Sequence, residues 1–377
     1  MNSLFIGLMS GTSLDGVDGV VVDLAATRSP SGAHVVSHAK RAFSPDLRAC
    51  LAALNRSGDD EIHRAALAAN ALARDYAALV EALRRSAAVA NRPIVAVGCH
   101  GQTIRHRPGE FDGTGYTTQL NAPALLAELT GLDVIADFRS RDVAAGGQGA
   151  PLVPAFHRAM FGRTGATVAV LNLGGIANLT VLGSTQEAIG FDCGPANTLL
   201  DLWCERSSGR AFDTNGATAA RGVVDARLLD ALLAEPYFAL APPKSTGLDL
   251  FNAPWLDARL DAADARARLR PEDVQATLAQ LTADVVAAAC RRHAAAADEL
   301  VVCGGGAFNA DLMARLGRAL APMAVVASDA RGLPADQVEA TAFAWLAHAF
   351  VARQAGNVPT ATGAAGPRVL GALYPAR

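Results

Sequence analysis

Residues 7–18 read GLMSGTSLDGVD, and residues 171–180 read LNLGGIANLT. Each stretch is an apolar run, a break of glycines and small polar residues, and then a second apolar run. In the first, residues 4–9 stop at Ser10-Gly11-Thr12-Ser13 and apolar residues resume at Val20-Val21-Val22, with Asp15 and Asp18 between them. In the second, residues 168–171 stop at Asn172-Leu173-Gly174-Gly175-Ile176-Ala177-Asn178 and resume at 179–182. Short β-branched and aromatic runs bounded by Gly, Ser and Asn predict strand, turn, strand in both places. One opening used twice predicts an internally duplicated α/β chain. We place its boundary near residue 160, giving an N-terminal lobe of 1–160 and a C-terminal lobe of 161–377. The cleft between two such halves is the natural place for a ligand.

Working outward, a third strand is expected near 34–43. A helix is expected over 59–88, where Ile62, Ala66, Ala69, Leu72, Tyr76, Leu79 and Leu83 recur at steps of three and four. A buried strand at 94–97 leads into Gly98-Cys99-His100-Gly101-Gln102-Thr103, and another at 133–136 leads into a run of two arginines and two acids. Later come a helix over about 272–294, a strand at 300–302 running into Cys303-Gly304-Gly305-Gly306, and a last helix over about 335–352.

The 377 residues are half hydrophobic and 18% charged, with a net charge of −3 and scattered basic residues, so no footprint for nucleic acid or an anionic membrane is present. Lysine occurs only at Lys40 and Lys244. The six cysteines lie far apart with no CxxC pair, which reads as reduced thiols rather than a disulfide or zinc framework. The first apolar run is too short for a signal peptide or a membrane span, so a soluble, cytoplasmic protein is expected.

Four turns carry the candidate chemistry: residues 10–18, 172–178, 190–197 (GFDCGPAN) and 304–309 (GGGAFN). Glycine lets successive backbone amides approach one anion closely. Neither GxxxxGK[ST] nor a GxGxxG after the first strand occurs, which argues against a P-loop and a dinucleotide-binding domain. What is left is a phosphate cradle made of hairpin turns. Asp192 is either a general base fixed within reach of a nucleophile or the cap of the helix that follows it. Asp15 and Asp18 either cap turns or lie near Mg²⁺, which takes few carboxylates beside phosphate and water. His100 is a polar contact in the cleft or a satisfied structural histidine. Arg139 and Arg141 either form a local ion-pair network or bind an acidic substrate group. Glu339 sits on the exposed face of the last helix.

Together MSGTSLDGVD (9–18), GCHGQTIRH (98–106), DFRSRDVAAGGQGAPLVP (137–154), LNLGGIANLT (171–180), GFDCGPAN (190–197), KSTG (244–247), CGGGAFN (303–309) and EATAFAWLA (339–347) resemble the anhydro-N-acetylmuramic acid kinase family. The resemblance covers nearly the whole chain. It implies two ribonuclease-H-like lobes of the actin-like ATPase superfamily around a central ATP cleft. It implies that Gly11, Thr12, Ser13, Leu14, Asp15, Gly16, Val17 and Asp18 form the first phosphate loop. Gly174, Gly175 and Asn178 would form the second, and Gly304, Gly305 and Gly306 would border the adenosine. Asp192 matches the family's catalytic aspartate, while Gln102, Thr103, Arg139 and Glu339 fall in blocks lining the sugar site. The implied reaction hydrolyses the internal bridge of 1,6-anhydro-N-acetylmuramic acid and phosphorylates the freed 6-oxygen, using ATP with Mg²⁺ and no assigned protein metal ligand, in a homodimer. Four positions depart from the family pattern: Leu248 for arginine, Phe308 for histidine, Cys193 for threonine and Ala196 for glycine. An actin-like kinase for another sugar and an ATP-switched binding protein are the alternatives.

Overall fold

A computed structural model describes residues 4–11, 13–24, 32–184 and 188–377. The chain forms two compact units, the first made of 1–160, 331–333 and 337–377, the second of 161–330 and 334–336. In chain order the first unit contributes β1 (Leu4–Met9), β2 (Gly16–Asp23), β3 (His34–Ala42), β4 (Ile94–Cys99), β5 (Gln102–Pro108), β6 (Gly115–Leu120) and β7 (Val134–Ala136). The second contributes β8 (Thr167–Leu173), β9 (Ile176–Leu182), β10 (Ala188–Pro195), β11 (Ala297–Cys303) and β12 (Ala324–Ala327). A last strand, β13 (Ala372–Tyr374), returns to the first unit.

The two main sheets share one plan. In the first unit the order is β13-β7-β4-β1-β2-β3, and in the second β10-β9-β8-β11-β12. β1, β2 and β3 form an antiparallel meander, and β4 and β7 then add parallel to β1. β8, β9 and β10 repeat the meander, and β11 and β12 add parallel to β8. This is the ribonuclease-H-like order, present once in each unit, and two such units in one chain are the plan of the actin-like ATPases.

Alternation along the strands explains how each sheet is covered. In the first unit Leu4, Ile6, Leu8, Val17 and Val21 pack into one cluster with Leu72, Tyr76, Leu79 and Leu83 of the helix Glu61–Arg84. Phe5, Val20 and Val22 point the other way and meet Ala340, Phe343, Ala344 and Ala347 of the helix Val338–Val351. That helix lies so close that a Cβ on Gly7 would overlap the Ala340 carbonyl, and one on Gly98 the Phe343 carbonyl. Burial of this apolar face is what draws residues 337–377 into the first unit, correcting the expectation that all of 161–377 forms one lobe. The second unit's core gathers around the helix Pro271–His293, whose Val274, Leu278, Leu281, Val285 and Val286 are buried.

Other differences are local. The turn expected over 172–178 is only Gly174-Gly175, because β8 and β9 pair through to Leu173↔Ala177. The β5–β6 hairpin was not expected: its strands are rich in Gln, Thr, Arg and His and show no clean apolar alternation. No helix among the described residues is long and apolar enough to cross a membrane.

Candidate active site

The second unit brings three of the glycine and acid motifs to one end of its sheet. Asp192 does not cap a helix. It lies inside β10 opposite Asn178 of β9, at a bulge between Asp192 and Gly194, while the following helix Asn197–Ser208 has Ala196 at its N-cap. Bulges re-aim side chains without ending the ladder. The Asp192 carboxylate accepts from Asn178 Nδ2 at 2.8 Å on Oδ1 and from the Thr246 amide at 3.0 Å on Oδ2. Its backbone is held as well: its N–H donates to the Lys244 carbonyl at 3.1 Å, and its carbonyl accepts from the Tyr237 hydroxyl at 2.9 Å. Burial pushes its carboxyl above the usual carboxylate range, and the donors from Asn178 and Thr246 and the charge of Lys244 offset only part of that. The result is a rigid carboxylate with enhanced basicity.

Beside it, the β8–β9 tip serves as the missing helix cap. The amides of Ala196 and Thr198 donate to the Gly175 carbonyl at 2.9 and 3.1 Å, and the Asn197 amide donates to the Gly174 carbonyl at 3.1 Å. The start of the helix Asn197–Ser208 is thereby tied to the Gly174-Gly175 tip through the tip's carbonyls. Gly304, directly after β11, adopts φ +81°, and a Cβ there would strike the Asn172 side-chain oxygen and lie 2.8 Å from the Leu173 carbonyl. Only glycine lets this third turn press against the hairpin. Gly305 and Gly306 follow in a short 3-10 turn that ends at Phe308, which is 56% exposed. Two polar atoms in this region, Asn178 Oδ1 and Thr246 Oγ1, are buried without a partner among the described residues. Buried polar atoms are almost always paired, so orphans beside a rigid carboxylate are the mark of a ligand site.

In the first unit, the loop after β1 is pinned at two points. Ser10 bonds the Tyr76 hydroxyl at 2.8 Å and donates to the Gly101 carbonyl at 3.1 Å, while Leu14, at φ +57°, buries its side chain. Ser13 donates to Asp15 Oδ1 at 2.6 Å on the exposed side. Of the candidates in this loop, Gly11, Ser13, Asp15 and Gly16 keep some exposure, whereas Leu14 and Val17 place their side chains in the core and can offer only backbone. Asp18 is paired across the sheet with Lys40 at 3.1 Å, with His38 at 3.6 Å. Burial raises its carboxyl, but these two partners outweigh that and hold it below the usual range. Thr12 lies outside the described residues.

Gln102 is fully buried; its Nε2 donates to the Gly11 carbonyl at 3.0 Å, and its Oε1 has no partner among the described residues. Thr103, next to it, accepts from Gln119 at 3.3 Å. Arg139 donates from Nε and Nη2 to His100 Nε2, at 3.1 and 3.0 Å, and from Nη1 to the Gly149 carbonyl at 2.7 Å. Burial, and next the charge of Arg139, push His100 down to about 3, so it is a neutral acceptor. Burial lowers Arg139 itself to about 10, against the pull of Glu339 and Asp142, so it stays charged. Two of its five N–H groups are left by these bonds. Glu339, in the first turn of the helix Val338–Val351, is part-buried rather than on an open face.

Sequence reasoning placed Thr246 only within KSTG and Asp142 only within the run of two arginines and two acids, with no role of its own for either. Thr246 acts through its backbone amide, which no motif advertises, though KSTG marked the segment. Asp142, fully buried, accepts from the Gly149 amide at 2.8 Å, Asn357 Nδ2 at 2.7 Å and Thr362 Oγ1 at 2.8 Å, tying the Arg139 loop to the C-terminal segment. Asn357 and Thr362 are 215 and 220 residues away, and proximity of that kind is not written in a local pattern.

The chain matches the family model described as anhydro-N-acetylmuramic acid kinase over residues 3–376. A protein of that name from Bordetella petrii is 60% identical, the match covering 99% of this chain and 96% of the relative. Those from Ralstonia nicotianae, 57% identical over 99% and 97%, and from Albidiferax ferrireducens, 54% identical over the full length of both, match as closely in extent. The chain belongs to the anhydro-N-acetylmuramic acid kinase family and is a phosphotransferase.

Proposed function

We propose that Asp192 activates water to open 1,6-anhydro-N-acetylmuramic acid while the freed 6-oxygen takes the γ-phosphoryl group of ATP. The observation that carries this reading is the Asp192 carboxylate itself, fixed by two donors beside a helix-capped hairpin tip and two orphan polar atoms. The water oxygen bonds to the anomeric carbon as the bond from that carbon to the 6-oxygen breaks. The 6-oxygen bonds to the γ-phosphorus as the bond to ADP breaks. One water proton passes to Asp192 and then to solvent. Burial that raises this carboxyl above the usual carboxylate range makes it a better proton acceptor than an exposed aspartate. No second carboxylic acid is needed for the leaving oxygen, because phosphoryl transfer removes its charge; glycosidases use a carboxyl pair instead.

The amides of Gly11–Asp18 and of Gly174-Gly175 hold the phosphates, and residues 304–306 border the adenosine. Gln102, Thr103, Arg139 and Glu339 bind the sugar, with the remaining Arg139 N–H groups directed to its carboxylate. Among the described residues no three His, Cys, Asp or Glu gather into a metal cage. Mg²⁺ would arrive with the nucleotide, held by phosphate and water with one or two carboxylates, and its charge would neutralise the phosphates. A cytoplasmic homodimer is part of this proposal, and sedimentation checks the assembly.

Incubation with Mg-ATP and the anhydro sugar tests the reading, followed by mass spectrometry for a product that has gained both water and a phosphoryl group. Asp192→Asn should lower turnover by about 10²–10⁴-fold, the range for one general base, while leaving ATP binding largely intact. An unmodified sugar with the wild-type protein, or full turnover with the variant, would refute it.

A further inference from the structure

Behind Asp192 the second unit holds a cavity of about 150 Å³ that the reaction above does not use. Phe191 and Cys193, its neighbours on β10, form one wall, and Val285, Ala288 and Arg292 present one face of the helix Pro271–His293 as another. Phe238 closes it. The surface is mainly apolar, yet Lys244, Arg292 and His293 converge on it. None of the three makes an ion pair with a carboxylate among the described residues. Among the described residues the Lys244 ammonium is held by the carbonyls of Tyr237 and Phe238, at 3.2 and 3.3 Å, and by the face of the Tyr237 ring. The acid on the lining, Asp284, already accepts from Gln280 Nε2 at 2.9 Å.

Burial, and then the charge of Arg292, pull Lys244 down, and His293 is lowered by burial and by both cations. The charge of Asp192 offsets part of this at Lys244, but no carboxylate among the described residues pairs with it directly. The end of a helix favours cations, which accounts for Arg292 and His293 in its last turn. It does not account for Lys244, which comes from a separate loop. Two cations and a neutral imidazole around an apolar hollow are the complement of a small organic anion.

We infer that this cavity is a second ligand site, that its ligand is a small carboxylate with a short apolar tail, and that occupancy slows the reaction at Asp192. An inorganic phosphate ion would meet too few neutral donors and too much hydrocarbon. The coupling runs through Lys244, whose carbonyl accepts from the Asp192 amide, while Thr246, two residues on, holds the Asp192 carboxylate. An anion on the ammonium cancels the positive charge that helps keep Asp192 ionised. This coupling rests on the role proposed for Asp192; the binding site does not.

The test titrates the full-length protein with butyrate at constant ionic strength, with butanol, butylamine and inorganic phosphate as comparators. Binding is read by calorimetry and by the thermal midpoint, and turnover is read with Mg-ATP and the anhydro sugar. Expected are saturable butyrate binding, a weaker or absent response to the comparators, and a saturable loss of turnover. Arg292→Gln and the cavity-filling Ala288→Leu should each abolish butyrate binding. If Ala288→Leu fails to fold, Arg292→Gln and the comparators still decide. Equal binding of phosphate or butanol, or binding retained in Arg292→Gln, would overturn the site. Binding without loss of turnover would overturn the coupling, and a wild-type protein with no turnover at all would fail the proposed reaction and leave the binding result standing.

Discussion

Thr246 illustrates what one residue contributes by two routes. Its amide fixes Asp192, and its hydroxyl is buried without a partner among the described residues. Thr246→Ala keeps the first and removes the second. Because an unpaired buried hydroxyl adds little to folding, stability should change by less than about 1 kcal/mol. If the hydroxyl faces a reactant, kcat/KM should still fall, by roughly tenfold for one lost hydrogen bond of about 1.4 kcal/mol. Urea unfolding and steady-state kinetics on the same preparation separate the two; an unchanged kcat/KM would remove the hydroxyl from the site. At this scale the sequence was informative about Asp192, whose motif is long and specific, and marked Asn178 and the KSTG segment without showing that they hold it. It left open whether Asp192 capped a helix, and only the strand register and the Ala196 cap closed that question.

Among elements, the contact between the turn after β11 and the β8–β9 tip depends on one glycine. Gly304→Ala puts a methyl group into the Asn172 side chain and the Leu173 carbonyl at a positive φ, so a loss of about 1–3 kcal/mol is expected. The thermal midpoint measures that loss, and weaker binding of an ATP analogue should accompany it. Asp142 plays the matching part in the first unit. Asp142→Ala would leave the Gly149 amide and two side-chain donors unpaired, for about 3 kcal/mol or more. Hydrogen exchange should rise in residues 144–149 and 357–366 together; a rise in only one segment would count against the link. Strands and helices with strong periodicity were legible almost to their ends: 272–294 was expected and Pro271–His293 is found. The β5–β6 hairpin was not, because its polar strands carry no period-two signal.

Across the whole molecule, titratable groups are divided unevenly between the units. His100, His106 and His157, all in the first unit, are pushed down to about 3, 4 and 3, chiefly by burial. A histidine whose folded pKa lies below its unfolded value of about 6.5 adds proton uptake only to the unfolded chain under mild acid. Stability from these groups is therefore full above about pH 6.5 and is lost as pH falls toward the folded values. In the second unit burial raises Asp192 and takes Asp201 to about 7, so protonation of Asp201 favours the folded state in the same window. Its carboxylates Asp225, Asp257 and Asp273 are held below the usual carboxylate range by their arginine partners. Calorimetry at about pH 7.5 and about pH 5 should show the first unit's transition moving down relative to the second's. A joint shift of both in one direction would contradict it. The duplication itself was legible, since both meanders open with the same kind of turn. The return of residues 337–377 to the first unit was not, because the apolar face of the helix Val338–Val351 fits any apolar surface on sequence grounds.

That return reverses the order in which the two halves can be finished during synthesis. Everything the second unit needs lies within residues 161–336, so it can close as soon as that stretch leaves the ribosome. The first unit is begun earlier but must wait, with the Phe5, Val20 and Val22 face of its sheet and the free edge of β7 uncovered, until the helix Val338–Val351 and β13 emerge. The half made first is completed last, and during that interval it is the one a chaperone would have to shield.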